Sequence, residues 1–130
     1  MDMLQNLFTF LLGGLLYVLL ELAYRGRSHV SMFLTGGLCC MVLAALFGRY
    51  ALGWPARLLI SGVLISAAEF LCGYVVNIRL RLGVWDYTAQ PYNLYGQICL
   101  AFSCLWCLMA LPVSLLGAYV RLLMNHMSRF

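Results

Sequence analysis

Glu21 and Glu69 each stand inside a long apolar run, in a chain with only four acidic residues. An ionisable group at a bilayer centre costs about 2.5–3.5 kcal/mol on insertion scales, so it marks function by default. Arg25 follows Glu21 at i, i+4, the spacing of a helical ion pair. The stretch Glu69–Gln97 then gathers Asn77, Trp85, Asp86, Asn93 and Gln97, with Arg79 and Arg81 between them. His29, of the residue type that titrates nearest neutrality, lies in the connection after Arg25. Residues of these types suit a pocket for a small polar or charged solute. Glu21 and Glu69 would bind solute or a proton, and Asn77, Asn93 and Gln97 would donate and accept hydrogen bonds. The arginines would tune the mouth. Trp85 and Tyr87 suit headgroup-level anchors, and Asp86 between them would balance Arg79 or Arg81, or face the pocket.

These residues need elements to hold them, and composition decides which. At 130 residues, 65% hydrophobic and 9% charged, with mean hydropathy +0.94, the chain reads as an integral membrane protein. A soluble domain of this length could not hide so much apolar surface. Four spans are expected, at about 4–24, 30–47, 58–76 and 94–116, each near the roughly 20 residues that cross about 30 Å of hydrocarbon. Lipid offers no partner for backbone groups, so the spans are helices. The expectation is an all-α integral membrane four-helix bundle, one transmembrane domain over residues 1–130, oligomeric and foremost a homodimer. The last span is expected to run on to about Leu123 with a kink at Pro112. The first apolar stretch is a full span without a basic run before it, so no cleavable signal peptide is expected.

Helical periodicity gives each span a small-or-polar seam. The seams are Gly13, Tyr17, Glu21 and Arg25; Ser31 and Thr35; Gly62, Ser66, Glu69, Gly73 and Asn77; and Asn93, Gln97, Ala101 and Cys104. The plain alternative is that they only hold the helices together, and that His29 merely sits at the interface beside Ser28 and Ser31. The charged and amide members all fall at the helix ends on one side of the membrane, with Glu69 roughly 12 Å deeper than Asn77. One subunit therefore reads as a cup open to a single face.

Topology is less decided. Arg49, Arg57, Arg121 and Arg129 lie on the side of the termini, and Arg25, Arg27, Arg79 and Arg81 lie opposite, so the positive-inside count ties. Either the chain inserts both ways and pairs antiparallel, or the second group of arginines is held by the site. The second explanation is preferred and puts the termini in the cytoplasm of a plasma-membrane protein.

Several classes are excluded or demoted. Eight arginines in short connections fit lipid headgroups, and no basic face for nucleic acid is present. The six cysteines lie in apolar runs and read as small hydrophobes, so no disulfide framework follows. Cys104-x-x-Cys107 lacks a second pair at the mouth. The acids and His29 have no metal-ligand spacing, and no cofactor or metal is expected. There is no phosphate-binding glycine loop with lysine and no nucleophile elbow.

The runs Gly13-Gly14-x-x-Tyr17-x-x-x-Glu21, Arg25-Gly26-x-Ser28-His29-x-Ser31-Met32 and Gly36-Gly37 resemble signatures of the ABC-transporter type IV (CmpB-like) family. So do Glu69-Phe70-x-x-Gly73-x-x-x-Asn77, Val84-Trp85-Asp86-Tyr87, Pro91-x-Asn93-x-x-Gly96-Gln97-Ile98-Cys99 and Ser103-x-x-Trp106. The resemblance covers about residues 10–107 and implies transport, with any ATP coupling supplied by a separate ATPase subunit. The expected function is a small permease-like membrane subunit with a one-sided polar pocket. The alternatives are a membrane enzyme working on a lipid or amphipathic substrate by acid–base chemistry, with Glu69 or His29 as acid or base, and a non-catalytic partner of a larger membrane protein.

Overall fold

The computed structural model describes residues 3–129. Among them, four helical segments are long and apolar enough to cross a membrane: Met3–Arg25, Val30–Arg49, Trp54–Arg79 and Leu100–Met127. The first two are the single helices α1 (Met3–Arg25) and α2 (Val30–Arg49). The third is α3 (Trp54–Gly73), continued by one π-helical stretch, Tyr74–Arg79. The fourth is two helices, α4 (Leu100–Leu108) and α5 (Ala110–Met127). A chain with these segments is a multi-pass membrane protein, and the expected all-α bundle is present.

Small residues decide the closest packing. A Cβ on Gly13 would collide with the side chain of Cys40, and one on Gly36 with the side chain of Tyr17. The same holds one residue along, where a Cβ on Gly14 or Gly37 would come within 2.7 Å of the carbonyl oxygens of Phe33 and Phe10. The two Gly-Gly pairs thus let α1 and α2 touch backbone to backbone, which is how helices associate when lipid offers no hydrophobic drive. α3 packs on α4, and α5 lies against α1 and α2. The shared core is Tyr17, Met32, Leu43, Ile65, Trp106, Ala110 and Val113, all buried.

The boundaries of span three and span four differ from expectation. α3 starts four residues early, at Trp54, because Pro55 fits the first helical turn where no intrahelical N–H is needed. The last helix starts at Leu100, not near 94, and runs on past the expected Leu123 to Met127. Before it, β1 (Asn93–Leu94) and β2 (Ile98–Cys99) form a short antiparallel ladder. Tyr95 and Gly96 between them have φ of 54° and 70°, left-handed values that cannot continue a helix. The apolar letters Leu94, Ile98 and Cys99 give the hydropathy of a span end although the backbone is a hairpin. The expected seam through Ala101 and Cys104 is also corrected, since both are exposed, and the inner face of α4 carries Phe102, Ser103, Trp106 and Cys107 instead. The break at Met109 has the foreseen cause. Pro112 has no N–H to give the Leu108 carbonyl, and Met109 closes a tighter turn on Trp106, with N···O 3.1 Å.

The close α1–α2 contact yields a prediction. Gly36→Leu should push Tyr17 off its seat and lower unfolding stability by about 1–3 kcal/mol. Thermal unfolding of the purified protein in detergent reads this, and an unchanged midpoint would contradict the packing.

Candidate functional site

Arg25 ends α1, and its guanidinium turns inward, where three electrostatic partners meet it. Nη1 lies 3.2 Å from Glu21 Oε2, one turn back on the same helix. Nη2 lies 3.9 Å from Glu69 Oε1 on α3 and donates to the Tyr87 hydroxyl. The aromatic faces of Tyr87, Trp85 and Phe102 stand 5.0, 5.7 and 5.8 Å from the guanidinium carbon, within cation–π range. Glu69 is 1% exposed and its carboxylate is fully engaged. Oε1 accepts from Tyr87 Oη at 2.9 Å, and Oε2 accepts from Trp106 Nε1 at 2.8 Å. Buried charges persist only where such partners replace water.

Three elements bring these groups together. Glu21 and Arg25 share a face of α1, and Glu69 lies on the α3 stripe with Gly62 and Gly73. The third contribution comes from the connection 80–99, which folds back into the bundle. Asn77, in the π-helical stretch, is its clamp. Its Oδ1 accepts from the backbone N–H groups of Val84 and Trp85 at 2.7 and 3.4 Å, and its Nδ2 donates to Gln97 Oε1 at 2.9 Å. The indole of Trp85 donates to the Gln97 carbonyl at 2.9 Å. Gly73 has to be glycine, since a Cβ would strike Gln97 Oε1 and come within 2.8 Å of the Trp85 ring. Burial, with the Glu69 carboxylate beside it, pushes the Tyr87 phenol well above its ordinary pKa, so it remains a hydrogen-bond donor.

The expected residues therefore divide. Glu21, Arg25, Glu69, Asn77, Trp85 and Gln97 meet in one continuous arrangement. Trp85 and Tyr87 are buried plugs, not headgroup anchors, because Asn77 and Gln97 hold their loop inside the mouth. The open cup is corrected accordingly: these two rings and Gln97 close it. Asp86 is exposed, forms no ion pair among the described residues, and accepts from Thr88 N at 2.9 Å. That bond holds its carboxyl below the usual range. Asn93 stays in the loop, where its side chain donates to the Gln90 carbonyl and accepts from Gly96 N. His29 caps α2, with Nδ1 accepting from Ser31 N at 3.1 Å and facing Ser31 Oγ at 2.8 Å. The idea that the site holds all four arginines of its side is met by Arg25 alone. Arg27 donates to the Gly83 carbonyl at 3.3 Å, and Arg79 and Arg81 are exposed.

Trp106 and Tyr87 were not among the expected site residues. Trp106 sits in a largely apolar run, where its signals are the Ser103-x-x-Trp106 signature and the need of a buried indole for an acceptor. Tyr17 adds a third aromatic, stacked on Trp106 with centroids 5.3 Å apart. Its hydroxyl is buried without a hydrogen-bond partner among the described residues, in the electrostatic field of both glutamates.

Two clefts reach this cluster, and Glu21 borders both. A lateral cleft of about 70 Å³ runs between α1 and the α4–α5 junction, walled by Leu20, Tyr24, Phe102, Leu105 and Met109. A more polar cleft of about 150 Å³ lies at the mouth between Ser28, His29 and Gly83.

Residues 7–129 match the family model described as Putative ABC-transporter type IV, and the chain belongs to that family. No curated protein and no solved structure matches it.

The network yields two further expectations. Trp106→Phe and Tyr87→Phe each remove one donor to a buried carboxylate and should cost about 1–3 kcal/mol of stability. Because they serve the same group, the double variant should depart from additivity by at least about 0.5 kcal/mol. Asp86→Ala, at an exposed turn, should stay within about 0.5 kcal/mol of the parent. Denaturant titration in mixed micelles measures all four proteins, and an additive pair would contradict a shared carboxylate.

Proposed function

We propose that this member of the ABC-transporter type IV family is a small transport subunit of the cell membrane. Glu21 and Glu69 bind the positive charge it moves, a proton or the cationic group of a small solute. The observation that supports this is the pair of buried carboxylates, 5% and 1% exposed, converging on a single guanidinium. Intramembrane acids so placed are the usual material of ion and proton pathways. The connection 80–99 acts as the inner gate, since Glu69 exchanges with water only when Trp85 and Tyr87 withdraw. The sequence has no nucleotide-binding loop, so an ATP-driven version needs a separate ATPase subunit. A homodimer would supply the second half of a path that a single bundle does not provide. The acid–base enzyme reading has less support, because His29 is engaged in a helix cap and Glu69 is held by two donors and a cation.

Reconstituted liposomes test the proposal. A pH-sensitive dye in the lumen reads proton entry under an imposed gradient, and labelled methylammonium reads uptake of a small cation. The parent should carry at least one of the two above protein-free liposomes. Glu69→Gln should lower that flux about tenfold or more, equivalent to about 1.4 kcal/mol. Undiminished flux in Glu69→Gln, or none in the parent for either probe, overturns the reading.

A further inference from the structure

We infer that the lateral cleft binds a small alkylammonium ion, its chain between α1 and α4 and its charged nitrogen beside Glu21. The inference rests on the transport reading and names the substrate class for that same site.

Three observations point to this ligand. First, the walls are apolar apart from one end. Leu20, Leu105 and Met109 face the space with the rings of Tyr24, Phe102 and Trp106, and the charged end is Glu21 with Arg25. A ligand matching that gradient has a hydrocarbon body and a single charged head. Second, the sign of the head follows from the neighbours. Glu21 and Glu69 set two carboxyl groups against the one Arg25 guanidinium, so the cluster holds more acid than base. Arg27 and His29 lie in the other cleft, with Arg27 held by the Gly83 carbonyl. Third, aromatic faces attract cations, and in this cluster they already do so, since Phe102, Tyr87 and Trp85 surround the Arg25 guanidinium.

Size and access agree. About 70 Å³ is several times the roughly 10–15 Å³ that one water needs, which suits a short chain and not a whole phospholipid. Tyr24 at the rim is 64% exposed on the outer surface of α1, so the cleft opens sideways toward the hydrocarbon, while Glu21 also borders the mouth. An amphipathic cation partitioned into the bilayer would meet the acid from the lipid side.

The test uses the full chain in nanodiscs of neutral lipid, with empty nanodiscs subtracted. Three probes of equal length are compared by calorimetric titration: n-hexylammonium, n-hexanol and n-hexanoate. Hexylammonium should bind saturably and about tenfold or more tighter than either of the others. Glu21→Gln should abolish the preference for the cation, and Leu105→Trp, which fills the cleft, should abolish binding. Hexanoate binding as tightly as hexylammonium overturns the inference on the parent protein alone, whether or not a variant folds. Undiminished hexylammonium binding by Leu105→Trp, in a variant that elutes and melts like the parent, overturns the location. The two proposals fail separately. Flux sensitive to Glu69→Gln without hexylammonium binding sinks only this one, whereas hexylammonium binding with flux indifferent to Glu69→Gln sinks the transport reading.

Discussion

A guanidinium carried into the bundle by the last residue of α1 is the constraint on which the other features depend. Arg25 touches Glu21 on its own helix and Glu69 on α3, and either acid alone would be an isolated charge in an apolar interior. Desolvating such ions costs several kcal/mol each, and the loss is offset only by good geometry and by hydrogen bonds to the remaining lone pairs. Tyr87, Trp106 and three aromatic faces provide those contacts. Helix packing places Trp106 and Phe102 on α4, but Tyr87 and Trp85 arrive from a loop. The site and the fold of that loop are therefore one problem.

The backbone solves it with local irregularities placed where they are needed. The π-helical stretch Tyr74–Arg79 turns Asn77 toward the loop, and π-turns are frequent at functional positions. Asn77 then holds the loop from both ends, through the N–H groups of Val84 and Trp85 and through the amide of Gln97. Left-handed Tyr95 and Gly96 return the chain as a hairpin, so α4 starts with Phe102 and Trp106 facing Glu69. On the opposite flank, the paired glycines of α1 and α2 bring Tyr17 against Trp106. At the far end of the bundle, Arg57 donates to Ser114 Oγ and the Leu52 carbonyl and stands over Phe47 and Trp54, an arrangement that ties α3 to α5.

Much of this was legible in the sequence, for identifiable reasons. Hydropathy over some 20 residues is a strong signal, so all four spans and the all-α class could be read. Helical spacing alone linked Glu21 to Arg25 and put Glu69 and Asn77 on one stripe. What could not be read depended on tertiary contacts. Apolar letters from Leu94 to Cys99 look the same in a helix as in a hairpin. Trp85 and Tyr87 have the chemistry of headgroup anchors, and only the bonds to Asn77, Gln97 and Glu69 turn them inward. Asp86, between two buried rings, alternates outward to solvent. Trp106 gave no local cue to its partner, which lies 37 residues away. Family membership adds the expectation of transport, and the chemistry has to come from these residues.

The contact between Arg25 and Glu69 carries the account, and it can be measured without knowing what the protein moves. Solid-state NMR dipolar recoupling in lipid bilayers, with nitrogen-15 in the arginine guanidinium and carbon-13 in the glutamate carboxyl, reports that distance. An Arg25→Gln sample identifies the signal. The 3.9 Å approach predicts strong dephasing of the Glu69 carboxyl that vanishes in Arg25→Gln. A Glu69 carboxyl that does not dephase in the parent protein would contradict the account at its centre.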